Sequence, residues 1–309
     1  MNYTLSQLRV FQKVAQLSSV TQAAKELHLS QPAVSAQLKN FQDNFDLPLT
    51  EVIGRQLFIT DFGHEIAAMV NVMLDQLYAI QQQSLIHQGQ LSGRLKIATA
   101  STGQYVLPYF LSDFVNQHQG VELAMDVTNK AKVVESLKAN RVDLCLVSIV
   151  PPSLSVNQLD LLPNKLFLVG KANAPLAEKT HKTDLLSELP LIYRETGSGT
   201  RQTMEAFLLK NKVQARTHLQ LRSNEAVKQA VLAGLGYSIM PLIGLRNELR
   251  DKQLKIFSVR GLPIQTTWSL IWLKDKKLPP PAKALVEHLR EEKEALINKY
   301  FAWLEELDH

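Results

Sequence analysis

Apolar residues recur at helical spacing from the start of the chain: Leu5, Leu8, Phe11, Val14 and Ala15 predict a first helix with one buried face. Ala23, Ala24 and Leu27 give a second, small-residue face, predicting a helix over 22–27 with Thr21 as its N-cap. Leu29 is expected to be buried in the turn that follows, and Ser30 to cap a third helix. Pro32 falls in that helix's first turn, where a missing N–H costs nothing. Val34, Leu38 and Phe41 then point to the core, leaving Gln31, Ala33, Ser35, Ala36, Gln37 and Lys39 outside. Two helices joined this way read as a helix-turn-helix. Amide and small side chains on the second suit base edges in a major groove, Gln against adenine and Ala against a thymine methyl. An ordinary helical hairpin with a polar face is the alternative.

Beyond Asp46, the run LPLTEVIGRQLFITDFG reads as a two-stranded ribbon turning at Gly54, a wing whose Arg55 and Gln56 could reach phosphates or the minor groove. The alternative for Arg55 is a solvated turn residue. Residues 62–89 have no Gly or Pro between Gly63 and Gly89. Ile66, Met69, Val70, Met73, Leu77, Ile80 and Leu85 form a nearly heptad stripe there. A long helix with no domain of its own to bury that stripe predicts pairing with a second copy. Gly89 and Gly93 bracket an expected hinge. From Arg94 the pattern changes to short β-branched runs (RLKIATA, VELAMDV, VDLCLVSIV, KLFLVG, LPLIYR, THLQL, YSIMP, TTWSLIWLK) alternating with helical stretches. Helices are predicted at 105–117, 132–140, 200–212 and 225–233, with a long amphipathic one at 281–307. This alternation predicts a mostly parallel sheet covered by helices, arranged as two similar α/β lobes. The chain would cross between them near 161–165 and 261–266, leaving a cleft at the strands' carboxyl ends.

Composition narrows the class. The 309 residues carry a net charge of +5, and 45% are hydrophobic, as in a globular chain of two or three domains. No apolar run reaches the roughly 18 residues of a spanning helix, and the N-terminus lacks the order of a signal peptide, so a cytoplasmic protein away from membranes is expected. Cys145, the single cysteine, lies in an apolar strand and reads as a buried thiol. It rules out a disulfide framework within one chain. In residues 1–60, Arg9, Lys13, Lys25, Lys39 and Arg55 stand against Glu26, Asp43, Asp46 and Glu51, a net +1. One such head would grip phosphates weakly, which favours an assembly carrying two or more. No metalloprotease, nucleophile-elbow, Walker or dinucleotide motif is present, and the histidines lack metal-ligand spacing. The sequence therefore calls for no cofactor, no metal and no catalytic residue.

A winged helix-turn-helix, a linker helix and a two-lobed α/β module in this order resemble the LysR-type transcriptional regulators. The resemblance is carried by LRVFQKVAQLSSVTQAAKELHLSQPAVSAQLKNFQ, the LPL after Asp46, GRQLFIT with Gly63 close behind, and GLGYSIMP. It implies an α/β fold with an all-α N-terminal winged helix-turn-helix (1–62), a linker and dimerisation helix (63–89) and a periplasmic-binding-protein-like effector domain (90–309). Lobe I would take about 90–162 and 266–309, and lobe II about 163–265. It further implies a homodimer or homotetramer on an interrupted palindrome of double-stranded DNA, a small-molecule effector in the cleft, and contact with RNA polymerase. Gln31, Pro32 and Ser35 match the family's recognition-helix contacts. Gln37 and Lys39 would lie beside them, and Arg55 matches the wing's basic residue. Where the family usually continues Pro-Leu-Phe-Glu-Arg, this chain has Pro48-Leu49-Thr50-Glu51-Val52, so an aromatic packing group and a basic residue are missing.

For the effector, RETGSGTRQTMEAF is the most telling stretch. Gly197 and Gly199 allow a tight turn, Ser198 and Thr200 add hydroxyls, and a helix beginning near Thr200 presents free N–H groups to an anion. Arg201, with Arg194 as a further candidate, would add bidentate charge. A capped glycine-rich turn explains the same residues without a ligand. Facing positions are Ser101, Thr102 and Gln104 after the first strand, Thr128, Asn129 and Lys130 after the second, and Ser148 after the strand of Cys145. The 194–205 run is similar to that of the regulators of carbon-dioxide-fixation operons, the CbbR/RbcR type, which implies a small anionic metabolite. A solute-binding protein on the same lobes would need an export signal and no DNA-binding head. An enzyme would need an acid/base pair or a cofactor loop.

Overall fold

The computed structural model describes residues 3–54, 56–86, 91–177 and 179–306. The chain divides into two compact units, 1–90 with 139–141, and 91–138 with 142–309.

The first unit opens with α1 (Leu5–Leu17), α2 (Val20–Leu27) and α3 (Gln31–Gln42). A reciprocal cap starts α1: the Gln7 N–H donates to the Thr4 hydroxyl, and the Thr4 N–H donates to Gln7 Oε1. Leu8, Val10, Phe11 and Val14 line its buried face, whereas Leu5 is exposed and Ala15 only half-buried. The N-cap of α2 is Ser19, whose hydroxyl accepts from the Gln22 N–H, so the helix begins two residues earlier than the Thr21 cap predicts. Both residues are good caps, and the extended backbone at Ser19 decides between them. Leu29 is 41% exposed, contrary to the expected burial. Ala24 and Lys25 close the turn through backbone carbonyls that accept from the His28 and Leu29 N–H groups, and this needs no apolar plug. Ser30 caps α3, and Val34, Leu38 and Phe41 are buried as expected. Truncating Phe41 to Ala would cost about 3–5 kcal/mol.

β1 (Thr50–Ile53) and β2 (Gln56–Ile59) form the antiparallel wing, pairing Ile53 with Gln56 across Gly54. Thr50, in the place of the family's aromatic residue, donates its hydroxyl to Gln42 Oε1 at 2.7 Å. Aromatic packing comes instead from Tyr3, Phe41, Phe45 and Phe62, which contact one another in a chain. α4 (Asp61–Ile86) follows at once. A Cβ on Gly63 would stand 2.0 Å from the Leu49 carbonyl oxygen, so only glycine lets α4 start this close to the wing. Val70 turns inward, while Met69, Met73, Leu77 and Ile80 remain exposed along one stripe. Leu85 and the expected Gly89 hinge lie among residues whose side chains or backbone are not described.

The second unit begins with β3 (Ser92–Ala100), a 3-10 turn at Ser101–Tyr105, α5 (Leu107–Gln117), β4 (Gly120–Thr128), α6 (Lys130–Lys138) and β5 (Leu144–Val147). It continues through β6 (Val156–Lys171), β7 (Leu191–Arg194), α7 (Gly199–Lys210), β8 (Thr217–Leu221), α8 (Asn224–Leu232) and β9 (Ser238–Pro241). It ends with α9 (Arg246–Arg250), β10 (Leu254–Phe257), β11 (Ile264–Leu273), α10 (Pro280–Phe301) and α11 (Trp303–Glu306). The main sheet runs β10-β6-β11-β5-β3-β4 with β9 also on β6, and β7 pairs with β8 in a small parallel sheet. Only β3–β4 and β3–β5 are parallel within the main sheet, so it is mixed rather than mostly parallel. The cause is the pair of crossing segments. They are continuous strands, β6 and β11, paired antiparallel from Ile264–Leu166 to Leu273–Val156 with one irregularity beside Trp268. Each lobe has its own core: Phe110, Phe114, Trp268 and Leu285 in one, Tyr193, Met204, Tyr237 and Phe257 in the other. Cys145 is fully buried in β5, and burial pushes its thiol pKa up to about 12.

Candidate functional site

Two surfaces can carry function. On the first unit, α3 presents Gln31, Pro32, Ser35, Ala36 and Lys39 to solvent. Gln37 does not join them. It is half-buried, and its Oε1 is shut away with no hydrogen-bond partner among the described residues. The wing strands expose Val52 and Ile53; Arg55 lies outside the described residues.

In the second unit a small polar cavity lies between the lobes, at the strand ends. Ala100, Ser101, Thr102, Asn129, Lys130, Ser148, Arg194, Ser198, Gly199 and Thr200 line it. Seven of the ten sequence-nominated effector residues therefore share one wall or another. Ser198 caps α7, its hydroxyl accepting from the Arg201 N–H at 3.4 Å, so the helix starts at Gly199. The first-turn N–H groups of Gly199 and Thr200 have no intrahelical acceptor and lie at the positive end of the helix dipole. Gly197, at φ +88°, makes the turn, and its carbonyl accepts from the Ala131 N–H across the cleft at 3.1 Å. Asn129 caps α6, accepting from the Lys132 N–H.

Gln104, Thr128 and Arg201 do not line the cavity. Gln104 is exposed on the 3-10 turn. Thr128 ends β4 opposite Ala100, and alternation turns the next residue, Asn129, to the cleft instead. Arg201 is drawn away by its own helix and by β8, donating to Glu205 Oε1 at 2.7 Å, Gln220 Oε1 at 2.7 Å and the Arg194 carbonyl at 3.1 Å. Arg194 lines the cavity, but its bidentate charge is turned on a neighbour rather than on the cavity. It is only 3% exposed and its Nε and Nη2 grip both oxygens of Glu195, at 2.9 and 3.1 Å. Lys130 donates to Gln202 Oε1 at 2.7 Å, and burial lowers its pKa.

A network that sequence reasoning did not single out ties the lobes on the opposite flank. The Tyr105 hydroxyl donates to Glu225 Oε2 at 2.8 Å, and Lys228 lies between Glu225 at 3.0 Å and Glu248 at 2.7 Å. The Tyr105 ring sits on Gly244, where a Cβ would meet it at 2.8 Å. Burial, then the bond to Glu225, raises the Tyr105 pKa to about 12. Burial alone would raise Glu225, but bonds from Gln229, Lys228 and Tyr105 outweigh it and hold the carboxyl below its usual range. The i, i+3 spacing of Glu225 and Lys228 was the available signal. Among the described residues no group of three His, Cys, Asp or Glu could hold a metal, and no helix is long and apolar enough to cross a membrane.

A winged helix-turn-helix followed by a two-lobed α/β module with a polar cleft defines a metabolite-controlled, DNA-binding transcriptional regulator, not an enzyme. Residues 5–64 match the model of the bacterial regulatory helix-turn-helix protein, lysR family, and residues 88–294 match that of the LysR substrate binding domain. The chain belongs to the LysR family. It is 38% identical to the RuBisCO operon transcriptional regulator of Allochromatium vinosum, over 94% of this chain and 97% of that protein. It is 35% identical to the transcriptional activator CmpR of Synechocystis, over 96% and 97%. Among solved structures, the CcmR regulatory domain of Synechocystis, in complex with 2-PG, aligns at TM-score 0.63 and 30% identity, over 65% of this chain and 98% of that one. Full-length CbnR in complex with its target DNA aligns at TM-score 0.66 and 22% identity, over 94% and 99%. That likeness speaks for the fold. Regulators of the family bind DNA and small-molecule effectors and form oligomers.

Proposed function

We propose that this protein controls carbon-dioxide-fixation genes in response to a phosphorylated, acidic metabolite held in the interlobe cavity. The observation that carries the reading is the cavity's charge. The first turn of α7, Lys130 and Arg194 converge there with five hydroxyl side chains, and no carboxylate is among the lining residues. Such a surface favours anions. Identity to the RuBisCO operon regulator and to the 2-PG-bound CcmR domain supports the class of gene and of ligand. In this reading Ser101, Thr102, Asn129, Ser148, Ser198, Gly199 and Thr200 contact the effector. Gln31, Pro32, Ser35 and Lys39 contact DNA, with Gln37 supporting α3 from behind. The exposed stripe on α4 pairs two copies, as a dimer or tetramer, on an interrupted palindrome in the cytoplasm. Closure of the lobes biases a two-state assembly and re-angles the paired heads, with RNA polymerase as the downstream contact. The divisions 1–62, 63–89 and 90–309 are the working boundaries.

Thermal unfolding of the full chain with 2-phosphoglycolate, glycolate and neutral sugars tests the ligand class. A ligand at about 100 times its Kd adds about 2.7 kcal/mol, enough to raise Tm by about 5–10 °C at this domain size. Stabilisation by 2-phosphoglycolate but not by neutral sugars is expected. Stabilisation by neutral or purely aromatic compounds alone would contradict the reading. Chromatin immunoprecipitation should enrich DNA upstream of carboxylase genes, and enrichment elsewhere only would remove the target assignment.

A further inference from the structure

The cations around the cavity are not equivalent. Arg194 is held bidentately by Glu195, Arg201 by Glu205, and Lys228 by Glu225 and Glu248. Each has spent its charge on a carboxylate. Lys130 has not: among the described residues its hydrogen bond is to a neutral amide oxygen, that of Gln202. Its stem lies against the α7 N-terminus, since a Cβ on Gly199 would stand 3.6 Å from Lys130 Cδ. The ammonium is therefore tethered within a helical turn of the Gly199 and Thr200 N–H groups. An amide acceptor is a weak partner for a half-buried cation, because a charge-assisted bond to an anion is roughly twice as strong. The desolvation that lowers the Lys130 pKa is uncompensated by any neighbouring charge, and an incoming anion would supply the compensation.

We propose that Lys130 is the residue that reads ligand charge: it releases Gln202 and binds the phosphate-type group seated on the first turn of α7, which selects a doubly charged head over a singly charged one. This rests on the proposed reading of the cavity as an anionic effector site. A single negative charge is already served by the first-turn N–H groups of α7 and the positive end of its dipole. The second charge is matched only by Lys130. Gln202, on the opposite lobe, is the neutral clasp that Lys130 gives up, so its loss does not weaken binding.

Titration calorimetry of the full chain with 2-phosphoglycolate tests this in four proteins. The native protein binds, Lys130→Gln binds about 30-fold or more weakly, Lys130→Arg stays within about fivefold, and Gln202→Ala binds as well as native or better. Unchanged affinity in Lys130→Gln would overturn the inference while leaving the cavity reading intact. Loss in Lys130→Arg equal to that in Lys130→Gln would show that shape, not charge, is read. Loss in Gln202→Ala equal to that in Lys130→Gln would make the pair an interlobe clasp and nothing more. If the native protein does not bind 2-phosphoglycolate, the cavity reading itself falls and takes the inference with it. Lys130 is partly exposed, and matching Tm values of the variants confirm that folding is untouched.

Discussion

The two flanks of the interlobe cleft are closed by different physics. On one, Tyr105 reaches over to Glu225, which is bound in turn to Lys228 and Gln229, and Lys228 is also held by Glu248. Charges there meet charges around a Lys228 side chain that is 10% exposed, although Glu225 itself is 46% exposed. On the other, α6 meets α7 through one backbone bond, Ala131 N–H to the Gly197 carbonyl, and one bond from Lys130 to a neutral amide. Breaking the first flank leaves the Lys228 ammonium with one carboxylate, Glu248, instead of two, a loss of charge-assisted bonds. Opening the second exchanges ordinary hydrogen bonds for water at little net cost. The first flank is built to stay shut, and the second to yield to a ligand that offers Lys130 something better than Gln202.

The sharpest way to break this comparison is to fill the yielding flank. A Cβ on Gly199 has room, meeting Lys130 Cδ and Ser148 Oγ at 3.6 Å, but the methyl groups of Gly199→Val would occupy the cavity. Calorimetry should show effector affinity falling 100-fold or more, about 2.7 kcal/mol, with Tm shifted by less than about 3 °C. Retained binding would move the site elsewhere. Next in size is a control on the head: Gln31→Ala should lower operator affinity about 10-fold, within the range of one bidentate base contact, with effector affinity unchanged in the same preparation.

The rigid flank answers to stability instead. Glu225→Gln should lower Tm by about 2–4 °C at neutral pH, the equivalent of about 1 kcal/mol, with effector affinity changed less than threefold. The Glu225 carboxyl is held below its ordinary value near 4.5. Its contribution is therefore present above the unfolded carboxylate range and is lost as pH falls through the folded value. The Tm gap between native and variant should be constant from pH 6 to 8 and close on acidification below about pH 4. A gap that widened in acid would reverse the assignment. An effect of similar size on stability is expected of Arg201→Ala. Its guanidinium is tied to Glu205, Gln220 and the Arg194 carbonyl, so a loss near 1 kcal/mol of stability with unchanged effector affinity should result.

What the sequence made legible follows the range of the forces involved. The helix-turn-helix is written in local terms, a Ser30 cap, Pro32 in the first turn and a buried Val34–Leu38–Phe41 face, and all three are realised. The cavity was legible through one rule, that ligands meet the ends of strands. Ser101, Asn129 and Ser148 obey it although they lie far apart in the chain. The rule failed where a side chain had a stronger local alternative. Arg201 had Glu205 one helical turn away. Ser19 and Thr21 were chemically interchangeable caps, separated only by backbone geometry. The asymmetry of the flanks was not legible, because Lys130–Gln202 and Tyr105–Glu225 pair residues 72 and 120 positions apart. Nothing in the spacing says which cation keeps its charge free.

The measurement that tests the account most directly is a crystal structure of the effector-binding region, residues 91–309, or of the full chain, with 2-phosphoglycolate. The account predicts the phosphate on the Gly199 and Thr200 N–H groups, the Lys130 ammonium moved from Gln202 to the phosphate, and the Tyr105–Glu225–Lys228 network unchanged. A phosphate bound away from α7, or Lys130 still on Gln202 with ligand in place, would contradict it.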